Sequence, residues 1–171
     1  HDHGAPPVHP RLRPALERVA AVTSSGAIPG AVLFACGMNS VRSPMAAAIT
    51  EKLFPRRIYV RSCGVREGEP DPFVEAVMAE IGCDLASHRP KTFEMLDESG
   101  FDLVVTLAPE AHHKALEMTR TEAVDVEYWP TPDPTLATGS REQILDSYRS
   151  VRDMLMLRIK KRFGWAPTPG G

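Results

Sequence analysis

The chain has 171 residues, 43% of them hydrophobic and 25% charged, which suits one ordinary domain with a full apolar core and no need of a disulfide or metal staple. A formal net charge of -2 leaves no basic face for a nucleic acid or another polyanion, so any affinity for anions must come from local geometry. Apolar runs of strand length give no membrane span, and the three cysteines, Cys36, Cys63 and Cys83, lack the clustered spacing of a zinc site and read as reduced thiols of a cytoplasmic protein, with no metal and no cofactor expected.

Residues 1–10, rich in His and Pro, read as a mobile leader. A short helix is expected from Pro14, with Leu16, Val19 and Ala20 on one face, ended by Ser24-Ser25-Gly26. Residues 1–30 are thus expected to be a leader with a short helix, 31–164 the main domain and 165–171 a flexible tail. Ala31 to Cys36 is a continuous apolar run, the pattern of a strand buried on both faces. Ser43 as N-cap and Pro44 at the first position predict a helix through Phe54. Arg57 to Cys63 is a second strand, and Asp71-Pro72 opens a helix that Gly82 closes.

Thr92 to Asp97 is expected as a short helix, Phe101 to Leu107 as a third strand, Pro109 to Met118 as a helix and Val124 to Trp129 as a fourth strand. Ser140 and Gln143 form a capping box for a long last helix, with Ile144, Tyr148, Val151, Leu155, Ile159 and Phe163 along one face. Asp97, Asp102 and Asp125 read as solvated positions flanking elements. Strand and helix alternating in this way predict an α/β fold: a four-stranded parallel open sheet with helices on both faces, in three layers. In such sheets ligands bind beyond the carboxyl ends of the strands, where Cys36 falls.

The segment Cys36-Gly37-Met38-Asn39-Ser40-Val41-Arg42-Ser43 joins a buried strand to a helix N-terminus. Successive backbone N–H groups in a tight loop make a concave anion nest, and the helix adds its positive end. The same field favours the thiolate, the nucleophilic form of a cysteine. Arg42 presents a planar fork to two non-bridging phosphate oxygens, which a lysine cannot do.

With RSCG after the second strand, the DP-led helix at Asp71, SHRPK at 87–91 and PDPT at 132–135, the loop makes residues 31–163 resemble the low-molecular-weight protein tyrosine phosphatase family, which also contains thioredoxin-coupled arsenate reductases. The resemblance implies a phosphocysteine intermediate on Cys36, phosphate binding by Arg42 and by the loop Gly37, Met38, Asn39, Ser40, Val41 and Ser43, and a thiolate-bonding hydroxyl on Ser43. It implies that Asn39 holds the loop's shape with Ser62 and His88 behind it, and that Asp133 is the general acid. Asp71, in the rival Asp-Pro pair, reads as a helix N-cap.

The chain departs from the family in four ways. Gly37 directly follows Cys36 and Met38 precedes Asn39, reversing the usual Cys-x-Gly-Asn. Val41 stands where many members have a second cysteine that can trap the oxidised nucleophile; Cys63 and Cys83 read as packed thiols. Ala108 and its neighbours include no cysteine to relay a disulfide. Thr135 and Leu136 follow the second Asp-Pro pair in place of an aromatic wall, with Met38 and Leu136 as a possible apolar rim.

These features imply a phosphomonoester hydrolase acting on a phosphorylated protein (phosphotyrosine) or a small aryl or alkyl phosphate, with phosphate or sulfate binding in the loop. The alternatives are arsenate reduction with an external small thiol, such as glutathione or mycothiol, and a non-catalytic phosphate-binding module.

Overall fold

The computed structural model describes residues 28–167. The leader, the helix expected from Pro14 and the last residues of the tail lie outside the described residues. Within them, four strands, β1 (Ala31–Cys36), β2 (Tyr59–Gly64), β3 (Leu103–Thr106) and β4 (Asp125–Tyr128), form one sheet in the order β2-β1-β3-β4. Every pairing is parallel, as the alternation of elements requires. The chain leaves β1 towards β2 on one side and later crosses to β3 on the other. The carboxyl end of β1 is therefore the switch point of the sheet, and the loop carrying Cys36 starts there.

Helices α1 (Arg42–Leu53), α2 (Pro72–Ala79), α3 (Pro109–Met118) and α4 (Arg141–Phe163) cover both faces. Along β1 the side chains alternate between two cores. Val32, Phe34 and Cys36 face α1, α2 and α4, while Ala31, Leu33 and Ala35 face α3. The first core is closed by Phe163 edge-on to Phe54 and Trp129 edge-on to Phe34, each with ring centroids 5.9 Å apart.

On α4 the Ser140–Gln143 capping box forms in both directions, and Gly164 ends the helix at φ 71. Tyr148, Val151, Leu155, Ile159 and Phe163 are buried as the spacing predicts; Leu145, rather than the half-buried Ile144, is buried in the first turn. Among the described residues no helix is long and apolar enough to cross a membrane.

Several expectations need correction. The region of Thr92 to Asp97 holds a single 3-10 turn, Phe93–Met95. Helix α1 begins at Arg42, with Val41 at the capping position and no side-chain cap, so Ser43 is not the N-cap; its hydroxyl is committed elsewhere, as described below. Asp102 is fully buried, not solvated. Its Oδ2 accepts the Ala31 N–H at 2.8 Å while its own N–H donates to the Ala31 carbonyl at 2.9 Å, closing the start of β1 on its β3 side, where the register begins only at Val32.

Candidate active site

Cys36 is the last residue of β1 and 2% exposed. From it the chain turns through residues 37–41 into α1. The carbonyls of Cys36, Gly37 and Met38 accept from the N–H groups of Val65, Arg66 and Gly68 at 3.2, 2.8 and 3.1 Å. The segment after β2 therefore draws the loop's carbonyls to one side. Among the described residues the N–H groups of 37–41 donate to no protein acceptor, which leaves a run of donors at the mouth of α1 for an anion.

Asn39 sets the loop's shape. It is fully buried and adopts φ 59, the left-handed region that Asn tolerates better than most residues. Its Nδ2 donates to Ser43 Oγ and Ser62 Oγ, both at 2.9 Å, and its Oδ1 accepts the Lys91 N–H at 3.0 Å. Its carbonyl lies 2.8 Å from His88 Nε2; a carbonyl only accepts, so Nε2 carries the proton. The left-handed turn thus sits at Asn39, and neither Gly37 nor Met38 has a positive φ. For that reason the reversed Gly-Met order meets no backbone strain. Met38 instead points outward, 48% exposed.

Ser43 explains why it is not a helix cap. Its Oγ lies 2.9 Å from Cys36 Sγ, accepts from Asn39 and reaches the Cys63 carbonyl at 3.2 Å. A hydroxyl has one proton. With a thiol at Cys36, S–H donates to Ser43 and the serine proton goes to Cys63; with a thiolate, the serine proton turns to the sulfur. The hydroxyl can therefore follow the charge on Cys36 without moving its oxygen. The Ser40 hydroxyl is not part of this cluster: it is buried against Gly68, where an added Cβ would come within 2.4 Å.

Arg42 Nη1 donates to the Thr131 carbonyl at 2.9 Å, and Nη2 lies 3.9 Å from Asp133 Oδ2. Asp133 is aimed by its own loop: Oδ1 accepts the Thr135 N–H at 3.0 Å and the Thr135 hydroxyl at 2.7 Å, leaving Oδ2 towards Arg42. Cys36, Arg42, Ser43 and Asn39 thus share one loop, with Asp133 against Arg42 and with Ser62 and His88 behind Asn39. Asp71 is the N-cap of α2, accepting from Phe73 N at 2.8 Å, and takes the Tyr148 hydroxyl at 2.8 Å.

Two features escape a reading of the sequence by spacing. Arg66 and Glu110, bridged by two hydrogen bonds of 2.5 and 3.1 Å, lie over Gly37, where an added Cβ would meet Glu110 Oε1 at 2.5 Å. Gly64 is the other: a Cβ there would lie 2.7 Å from Asn39 N, 2.8 Å from Met38 C and 2.9 Å from Gly37 O, all backbone. Gly64→Ala should therefore displace the loop, lower unfolding free energy by about 1–3 kcal/mol and abolish stabilisation by inorganic phosphate. Urea titrations with and without phosphate measure both effects.

The remaining cysteines are poorly placed as nucleophiles. Cys63 is fully buried, and burial first, then the charge on Cys36, pushes its thiol well above the ordinary range. Burial also raises Cys83. No group of three or more His, Cys, Asp and Glu side chains among the described residues could hold a metal ion.

Comparison with known proteins agrees with this geometry. An arsenate reductase of Bacillus subtilis (strain 168) is 31% identical over 130 residues, 76% of this chain and 92% of that protein. The glutaredoxin arsenate reductase of Synechocystis sp. is 29% identical over 129 residues, 75% of this chain and 92% of that protein. Among solved structures, the low molecular weight protein tyrosine phosphatase from T. tengcongensis aligns with TM-score 0.64 and 25% identity, covering 77% of this chain and 96% of that one. An arsenate reductase in the phosphate binding state aligns with TM-score 0.63 and 27% identity, covering 79% and 97%. Residues 31–163 match the sequence model of the low molecular weight phosphotyrosine protein phosphatases, and the chain belongs to that family of cysteine-based phosphatases and arsenate reductases.

Proposed function

We propose that this chain hydrolyses phosphomonoesters through a phosphocysteine on Cys36. The observation that carries the reading is the arrangement at one mouth of a thiol bonded to Ser43 at 2.9 Å, the uncommitted N–H groups of the loop, and Arg42 facing Asp133 at 3.9 Å. The phosphate enters the nest with Arg42 on two of its non-bridging oxygens, competing with Asp133 for the guanidinium. The Cys36 thiolate attacks phosphorus, the bond to the ester oxygen breaks, and protonated Asp133 delivers its proton to that oxygen. Asp133, now a carboxylate, takes a proton from water as the water attacks phosphorus. The S–P bond breaks, inorganic phosphate leaves, and Ser43 turns its proton to the released thiolate. Arg42 and the loop N–H groups supply the positive charge that the phosphoryl group needs in transit.

The exposed Met38 and Leu136, 48% and 78% accessible, favour an aryl leaving group at the rim, such as the tyrosyl group of phosphotyrosine. That contact is apolar and lacks an aromatic wall, so small aryl phosphates fit the same description.

The names of the relatives favour a second reading, arsenate reduction, since arsenate is tetrahedral and charged like phosphate. Taking arsenate to arsenite and water consumes two electrons, supplied by two thiols that end as one disulfide. The end of β3 carries Leu107 and Ala108 rather than cysteine, and Cys63 and Cys83 are buried with raised thiols. An external thiol such as glutathione or mycothiol would have to supply the second sulfur. Purified protein is therefore expected to release p-nitrophenolate from p-nitrophenyl phosphate, and to consume no arsenate in the presence of either thiol. Thiol-dependent arsenate loss without ester hydrolysis would reverse the assignment.

A further inference from the structure

Two ion pairs stand at the Cys36 loop. Arg42 with Asp133 belongs to the reaction proposed above; Arg66 with Glu110 has no part in it. Arg66 follows β2, and its N–H donates to the Gly37 carbonyl at 2.8 Å, so its side chain starts from the loop itself. Glu110 lies in the first turn of α3, where the positive end of the helix favours a carboxylate. The three atoms nearest to a Cβ built on Gly37 are Glu110 Oε1, Glu110 Cδ and Arg66 Nη2, at 2.5, 3.5 and 3.7 Å. The Gly37 N–H is the first of the uncommitted donors. Both charges therefore stand within a Debye length of an anion held there, about 8 Å at physiological salt.

The other charges on the segments packed against the loop replace neither partner. Glu67 and Glu69 are exposed, have no ion pair among the described residues and are not among the atoms over Gly37. On α3, Lys114 is held by Glu94 at 2.6 Å, His112 lies 3.0 Å from the Thr106 hydroxyl, and His113 is exposed. Arg89 donates to the Ala86 and His88 carbonyls, and Lys91 stands on the Cys63 and His88 side of the loop. Glu110 is thus the carboxylate pressed on the first donor of the nest, and Arg66 the cation that offsets it.

We propose that Arg66 is a further residue of the anion site: without touching the phosphate it cancels the Glu110 carboxylate beside the nest, and the two side chains together set the loop's affinity for a phosphoryl group. Such a role makes the partners opposite in effect. Removing Arg66 leaves a bare carboxylate against the anion, while removing Glu110 leaves a free guanidinium that attracts it. A role confined to holding the loop's shape makes them alike, since either substitution breaks the same bridge. Both side chains are well exposed, 56% and 40%, so neither substitution should unfold the chain.

The proposal rests on the loop being an anion site, and its test reads binding of inorganic phosphate by calorimetry rather than turnover. At about 50 mM KCl, Arg66→Gln should raise the Kd about fivefold and Glu110→Gln should lower it about threefold. The double variant should return to within about twofold of the unaltered protein, as should Arg66→Lys, which keeps the charge. In about 0.5 M KCl the gap of about 15-fold between the two single variants should close to about threefold or less. Weaker binding in both single variants, a double variant as weak as Arg66→Gln, or a gap that salt leaves unchanged would each overturn the proposal while leaving the anion site in place. Absence of phosphate binding by the unaltered protein would remove the anion site, and this proposal with it.

Discussion

Cys36→Ser is expected to lower turnover of p-nitrophenyl phosphate by about 10⁴-fold or more while leaving inorganic phosphate bound. A serine hydroxyl at this position keeps the size of the side chain and its neighbour Ser43 at hydrogen-bond distance, but it is far less ionised than a thiol and a much poorer nucleophile. The run of loop N–H groups and Arg42 are untouched, so the anion site should persist. Turnover by stopped assay and phosphate binding by calorimetry separate the two. Retained turnover would remove Cys36 from the reaction; lost binding with lost turnover would mean that the loop had collapsed.

Arg42→Lys is the companion test. Lysine keeps the charge but cannot hold two oxygens in a plane while reaching the Thr131 carbonyl, so both turnover and phosphate affinity should fall, by about 10²-fold in kcat/KM.

The fold was legible because its signals are local and repeated. The run from Ala31 to Cys36 reads as a doubly buried strand and is one, with identical limits. Asp71-Pro72 and the Ser140–Gln143 box mark helix starts through their own side-chain hydrogen bonds, which the sequence displays directly. The placement of the candidate site was legible where it depends on spacing along one loop, which brings Cys36, Asn39, Arg42 and Ser43 together.

What escaped the sequence depends on partners distant in the chain. Ser43-Pro44 has the form of a cap, yet the Ser43 oxygen is held between Cys36, Asn39 and the Cys63 carbonyl, and a neighbourhood seven and 20 residues away is invisible to a local rule. Asp102 was misread for the same reason, since its acceptor role belongs to the Ala31 N–H, 71 residues earlier. Gly64 looks like the end of a strand, and only the backbone of residues 37–39 pressed against it shows why a Cβ cannot be accommodated. The Met38 question was decided by a dihedral angle: the positive φ lies at Asn39, so the displaced glycine leaves the turn intact.

Asp133→Asn should divide substrates by leaving group. Asparagine keeps an Oδ1 to accept from the Thr135 N–H and hydroxyl, the contacts of 3.0 and 2.7 Å that fix this side chain, so the loop should hold its place. What is lost is the proton. A tyrosyl oxygen, whose conjugate acid has a pKa of about 10, leaves poorly without protonation, and turnover of phosphotyrosine should fall about 10²–10³-fold. p-Nitrophenolate is a better leaving group, and formation of the phosphocysteine from its ester should fall about tenfold or less. The same carboxylate must then activate water, so the variant should release one equivalent of p-nitrophenolate rapidly and turn over slowly after it. Rapid mixing reads that burst, and acid quenching with mass measurement of the Cys36 peptide reads the trapped phosphoryl group. An equal loss on both substrates with no burst would show that Asp133 acts only by holding Arg42, 3.9 Å away, and would place the proton on another group.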